Sequence, residues 1–278
     1  MSSSSVVIIT GGGTGIGAAS AAALRAQGWE VVICGRRKEP LEKVANETGA
    51  HFVVADVNSD EEMKQLVAGT VERFGSLNGL VLNAGIVRGG AAGDLCDDDW
   101  DAMVSTNLTG PFRLLRASLP HLISSRGAVV GVASVAALRA TAGIAGYDAT
   151  KAGLAMLMQS VAVDYGPQGV RANAVCPGWT RTVMADTSMT NFSGESGMGR
   201  EEAYSLASAF VPTRRPGTSA EAASVISWLL SDQASYVNAA VIPVDGGLIA
   251  VEPSAIAFDP RVNMLSSNES DALATTPA

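Results

Sequence analysis

Val6-Val7-Ile8-Ile9-Thr10-Gly11-Gly12-Gly13-Thr14-Gly15-Ile16-Gly17 is the stretch on which the fold turns. Four consecutive apolar residues read as a strand covered on both faces, where every side chain escapes water. The glycine-rich run 11–17 follows, and an alanine-rich segment to about Gln27 reads as helix. Glycine lets a backbone turn sharply and approach a pyrophosphate, while the helix N-terminus behind it offers free N–H groups and a positive dipole end. Such a turn is weak evidence alone. Between a strand and a helix, in the first βα unit, it has the context a nucleotide site requires. It contains no Gly-Lys-Ser/Thr, so it is not a P-loop.

The same alternation continues outward. Glu30–Cys34 predicts a second strand ending at Gly35-Arg36-Arg37, residues 38–47 a helix, and His51–Ala55 a third strand ending at Asp56-Val57. Asp60–Phe74 reads as a helix with an acidic first turn, and Gly79–Leu82 as a strand leading into Asn83-Ala84-Gly85. Asp97-Asp98-Asp99 predict the N-cap and first turn of a helix from near Trp100. It runs through Asn107 to about Ser124, with a bend expected at Gly110-Pro111. Ala128–Ala133 predicts a strand ending at Ser134, 147–165 a helix, and Val170–Val175 a strand ending at Cys176-Pro177-Gly178. Residues 183–200 show no clear period and read as a loop or lid. Short helices are expected near 200–210 and 219–230, and a last strand over Ala239–Val244 before Asp245-Gly246-Gly247. Strand–helix alternation predicts an α/β, doubly wound fold: one parallel sheet of about seven strands with helices on both faces, strand ends aligned along one ligand-binding edge. Residues 1–250 read as this single domain. Residues 251–278 read as a tail, partly docked and partly flexible.

Composition narrows the function. The chain has 278 residues, 47% of them hydrophobic, which suits one large core. A net charge of −8 argues against nucleic acid and anionic membrane as partners. No basic start and no run of about 18 apolar residues is present, so a cytoplasmic protein is expected. Cys34, Cys96 and Cys176 are far apart and odd in number, with Cys34 and Cys176 in apolar runs that read as buried thiols. His51 and His121 stand isolated, so no metal site and no histidine-based triad is expected.

Tyr147 and Lys151 stand one helical turn apart and share a face. A free tyrosine, with pKa about 10, is a poor acid or base near neutrality. A lysine ammonium beside it favours the phenolate and is expected to pull that pKa down.

The motifs together resemble the short-chain dehydrogenase/reductase family. Thr10-Gly11-x3-Gly15-x-Gly17, Asp56-Val57, Asn83-Ala84-Gly85, Asn107, Ser134, Tyr147-x3-Lys151, Pro177-Gly178-x3-Thr182 and Asp245-Gly246-Gly247 follow its order, and the likeness runs from Val6 to Gly247. The resemblance implies a Rossmann-like domain with Asn107, Ser134, Tyr147 and Lys151 as the catalytic group. Ser134 would polarise a carbonyl, Tyr147 would exchange its proton, Asn107 would position a relaying water, and Lys151 would also hold the nicotinamide ribose. It further implies a cofactor held by Gly11, Thr14, Gly15, Ile16 and Gly17, by Asp56 and Val57 at the adenine, by Asn83, Ala84 and Gly85 in the cleft, and by Tyr147, Lys151, Pro177, Gly178 and Thr182 near the nicotinamide.

At the second strand's end, where an NAD site places a carboxylate, Gly35 stands before Arg36 and Arg37, so NADP(H) is favoured over NAD(H). Thr14 occupies a position where some NADP-dependent members carry a basic residue. Val135, Leu138, Ile144, Trp179, Met184 and the 183–210 segment are expected to wall a pocket for a hydrophobic or aromatic ketone or secondary alcohol. Arg88 and Arg139, at the expected mouth, read first as solvated loop residues and second as carboxylate binders. Helices near 108–124 and 149–165 are apolar around much of their circumference, so a homodimer or homotetramer built on them is expected. Ala239 stands where many relatives carry glycine. Rival readings are a catalytically idle nucleotide-binding regulator, an NAD-dependent alcohol dehydrogenase, and a lyase or epimerase on the same fold.

Overall fold

The computed structural model describes residues 4–252 and 254. The elements in chain order are β1 Val6–Thr10, α1 Gly15–Ala26, β2 Glu30–Gly35, α2 Lys38–Thr48, β3 His51–Val54, α3 Asp60–Phe74, β4 Gly79–Leu82, α4 Asp97–Val104, α5 Gly110–Ser125, β5 Ala128–Val132 and α6 Ala145–Tyr165. They continue with β6 Arg171–Pro177, β7 Thr180–Arg181, α7 Val183–Ser196, α8 Arg200–Ala207, β8 Gly217–Thr218, α9 Ser219–Leu230 and β9 Val241–Val244. Seven strands form one sheet in the order β3-β2-β1-β4-β5-β6-β9, every neighbouring pair parallel. The order reverses between β1 and β4. That switch point opens a crevice at the strands' carboxyl ends, where the glycine-rich turn lies.

Alternation within each strand feeds two cores. Ile8, Leu80 and Val129 face α3, α5 and α6 through Leu66, Leu114 and Met158. Val7, Ile9 and Val81 face α1, α2 and α9 through Leu24, Leu41 and Ile226. The expected doubly wound architecture is therefore observed.

Four local expectations are corrected. Residues 183–196 form helix α7, not an irregular lid. The helix carries no amphipathic signal because its buried residues, Ala185 and Met189, pack on a small separate core with Ala203 and Tyr204. Asp97–Asp99 all lie within the first turn of α4, whose N-cap is Cys96. The distortion expected at Gly110-Pro111 falls one turn earlier, as a π-helical turn over Ser105–Thr109. The last strand begins at Val241, because Ala239 adopts a left-handed φ of 59°. Most of the predicted tail, 251–278, lies outside the described residues.

Candidate active site

The carboxyl edge of the sheet opens into a cleft of about 870 Å³. It runs from Arg36 and Arg37 past the glycine turn to Ser134, Tyr147 and Lys151, and on to Trp179 and Met184. At the glycine turn the packing excludes side chains. A Cβ on Gly17 would lie 2.4 Å from the Gly11 carbonyl oxygen, and one on Gly12 would lie 2.5 Å from Ile33 Cβ. Gly11 and Gly15 hold positive φ values of 64° and 56° that favour glycine. Thr14, the N-cap of α1, makes no side-chain capping bond, so α1's first N–H groups receive no acceptor from it.

Asn83 secures this turn. Its Nδ2 donates to the carbonyls of Thr10 at 2.9 Å and Gly11 at 3.2 Å, while Thr10 Oγ1 accepts from the Asn83 and Ala84 N–H groups. Asp56 Oδ1 accepts from Asn58 N, and Val57 is buried at the same end. Arg36 and Arg37 are exposed and line the cleft, and neither side chain has an ion-pair or hydrogen-bond partner among the described residues. Thr182 Oγ1 caps α7 by accepting from Ala185 N, and its Cγ2 would stand 3.1 Å from a Cβ on Gly15. An open backbone cradle at a helix N-terminus, two exposed guanidinium groups and a continuous cleft fit a dinucleotide.

At the other end Lys151 is 4% exposed, donates to the Val132 carbonyl at 2.8 Å, and sits 5.6 Å from the Tyr147 ring centre. Burial lowers Lys151 to about 8. Burial also raises the Tyr147 phenol above its ordinary value, partly offset by hydrogen bonding with Ser134. This reverses the expected direction for Tyr147. The ammonium is directed to Val132, and desolvation of the phenolate dominates, so the phenol holds its proton at neutrality. Asn107, 0% exposed, uses its whole carboxamide: Oδ1 accepts from Ile86 N at 2.8 Å, and Nδ2 donates to the Ile86 carbonyl and Thr150 Oγ1. Its side chain is thus committed to the protein. A Cβ on Gly85 would meet both Lys151 Nζ, at 3.3 Å, and Asn107 Oδ1, at 3.4 Å, so a larger residue there would crowd this group.

Val135, Ile144, Trp179 and Met184 line the cleft together, as do Pro177 and Gly178. Leu138 does not: it packs against the core beneath the sheet. Gly17 shapes the turn from behind without lining the cleft, and Asn107 also stands behind the wall. Arg88 pairs with Asp99 and Arg139 donates to the Leu138 carbonyl, and neither borders the cleft. Thr141, Ser188 and Thr106 also line it. Ser188 falls in the 183–210 segment expected to wall the pocket and is placed there by α7, whereas nothing in the sequence context of Thr141 or Thr106 singled them out, Thr141 being placed by its N–H to Asp148 Oδ2. Cys34 and Cys176 are buried thiols, both pushed up by burial, to about 12 and about 11.

Among the described residues no group of metal-ligating side chains and no helix long and apolar enough to cross a membrane is found. The family model described as Enoyl-(Acyl carrier protein) reductase matches residues 11–249. "Protein MoaE" of Klebsiella aerogenes is 41% identical over 258 residues, covering 91% of this chain and 98% of its own. Levodione reductase of Leifsonia aquatica is 37% identical over 251 residues, covering 87% and 93%. A solved structure of an actinorhodin polyketide ketoreductase variant with NADPH superposes with a TM-score of 0.84 at 34% identity, covering 88% of this chain and 97% of that one.

Proposed function

The chain belongs to the short-chain dehydrogenase/reductase family, and from that membership we propose that it moves a hydride between NADP(H) and a hydrophobic or aromatic ketone or its secondary alcohol. The observation that carries the proposal is the single cleft joining Arg36 and Arg37 to Tyr147 and Ser134. A bound nicotinamide supplies or accepts the hydride. The residues of this chain do the rest. Ser134, which lines the cleft beside Tyr147, polarises the carbonyl. Tyr147, kept protonated by burial, donates its proton as negative charge develops on the carbonyl oxygen. Lys151 supplies the buried positive charge beside the phenolate left behind. Asn107 holds Ile86 and Thr150, and with them the wall around Lys151. In the alcohol-oxidising direction Tyr147 takes the proton as base.

The preference for the phosphorylated cofactor is supported by the two arginines, exposed in the cleft and unpaired among the described residues, and by the absence of a carboxylate at Gly35. The apolar substrate is supported by Trp179 and Met184, each 39% exposed into the cleft. A homodimer or homotetramer through α5 and α6 is supported by their uncovered apolar residues, Phe112, Met156 at 61% and Val163 at 71%. We place the enzyme in the cytoplasm, in keeping with its free thiols at Cys34, Cys96 and Cys176. A panel of acetophenone, α-tetralone, cyclohexanone and diacetyl with NADPH and NADH, and the matching alcohols with the oxidised cofactors, tests the reading at the nicotinamide absorbance. NADPH-dependent reduction, fastest with the ring ketones, is expected. No turnover across the panel counts against catalysis and for the idle regulator.

A further inference from the structure

We propose that Asn58 is a positioning residue for catalysis: it clamps the π-helical turn that carries Asn107 and ties it to the loop after β3. The proposal rests on the functional reading above. Asn58 lies between β3 and α3, directly after Asp56 and Val57, which line the cleft. All its hydrogen-bonding groups are engaged. Its N–H donates to Asp56 Oδ1 at 3.0 Å, and its carbonyl accepts from Arg113 Nη1 at 2.6 Å. Its side chain reaches across the chain to two successive residues of the turn: Oδ1 accepts from Ser105 Oγ at 2.9 Å, and Nδ2 donates to Thr106 Oγ1 at 3.3 Å.

That turn needs outside support. A π-helical turn has wider hydrogen-bond spacing than an α-helix and is rare except as a single turn, often at functional sites. Here five residues, Ser105–Thr109, interrupt an otherwise continuous run from Asp97 to Ser125. The next residue, Gly110, presses on the same loop, since a Cβ there would lie 2.8 Å from the Val57 carbonyl oxygen. Asn58 and Val57 therefore fix both ends of the turn from one side. Asn107, inside it, fixes Ile86 and Thr150 on the other, next to Lys151. If the turn relaxed to α spacing, its register would shift by one residue and Asn107 would swing away from Ile86. Asn58 thus reaches the catalytic residues through the turn, without touching the reacting atoms.

The carboxamide's chemistry supplies the control. Ser105 and Thr106 are both hydroxyls and rotate freely, so each can donate to a carboxylate. Asn58→Asp keeps the clamp, whereas Asn58→Ala removes it.

The experiment compares wild type, Asn58→Ala, Asn58→Asp, Ser105→Ala and Tyr147→Phe. Steady-state kinetics use NADPH and the best ketone of the panel, and amide exchange at Ile86 is followed by NMR in protein without substrate. Asn58→Ala is expected to lower kcat roughly ten- to a hundredfold, with KM for the ketone within about twofold. It should also speed exchange at Ile86. Asn58→Asp should recover most of both losses, and Ser105→Ala should fall between. A kcat for Asn58→Ala within about twofold of wild type, with Ile86 exchange unchanged, overturns the proposal. So does a loss that Asn58→Asp fails to recover. If wild type turns over nothing, or Tyr147→Phe stays active, the functional reading is what fails. Ile86 exchange in Asn58→Ala and Asn58→Asp then decides the clamp by itself.

Discussion

Lys151 Nζ sits 5.6 Å from the centre of the Tyr147 ring and gives its hydrogen bond to the Val132 carbonyl, so the two titratable groups share a buried site without bonding to each other. Each is therefore held in its neutral form more firmly than in water.

For Lys151 this has a consequence in stability. Burial lowers it from 10.5 to about 8. Between those pH values the unfolded chain keeps a proton that the folded one has released, so stability rises with pH across the window. Below about 8 the burial penalty is carried in full. Lys151→Met abolishes this pH dependence. From pH 8 to 10.5, wild type should gain on the variant by at most about 3 kcal/mol, at 1.36 kcal/mol per pH unit. Urea unfolding of both proteins at the two pH values measures it, and parallel stabilities would refute it.

At the glycine turn the constraint is steric. Gly17→Ala puts a methyl 2.4 Å from the Gly11 carbonyl oxygen and 2.6 Å from Asn83 Nδ2. Both are held groups, one backbone and one bonded to two carbonyls, so neither yields cheaply. A loss of about 1–3 kcal/mol is expected, with weakened NADPH binding. Denaturant midpoints and fluorescence titration of NADPH check both effects.

Ala239 offers the opposite case. At φ 59° it occupies a conformation that costs an L-residue about 1 kcal/mol or more. Ala239→Gly removes the strain but loosens the unfolded chain, so a net gain of about 0.5 kcal/mol is expected. A thermal melt that falls on this substitution would contradict it.

Arg36→Asp exchanges an exposed guanidinium for a carboxylate just beyond the end of β2. NADPH affinity should fall about a hundredfold or more, through lost pairing and new repulsion, while NADH affinity holds or improves. Titrating both cofactors into both proteins tests it. Equal losses for the two would remove the argument for a phosphate-reading arginine.

These sites were legible in the sequence to unequal degrees, for physical reasons. Val6–Ile9 and Gly79–Leu82 announced themselves because a strand buried on both faces must be apolar throughout. Ser134, Tyr147 and Lys151 could be grouped beforehand because their types and order match a family pattern, and the fold brings all three to one cleft. Helix α7 was not, since it divides its side chains between the cleft and a small core shared with α8, and this leaves no period. The π-helical turn was invisible because Asn58, 47 residues before Ser105 in sequence, bonds to its side chains only in the fold. The direction of the Tyr147 shift was misjudged because i,i+4 spacing gives proximity to Lys151 and says nothing of the depth of burial or of the Val132 carbonyl.

The most direct test of the account is Tyr147→Phe, which deletes one hydroxyl and leaves the ring beside Lys151. NADPH should bind within about threefold of wild type, while ketone reduction falls by roughly a hundredfold to ten-thousandfold, the range of a lost general acid. Turnover within about tenfold of wild type would contradict the assignment of Tyr147 as the proton donor.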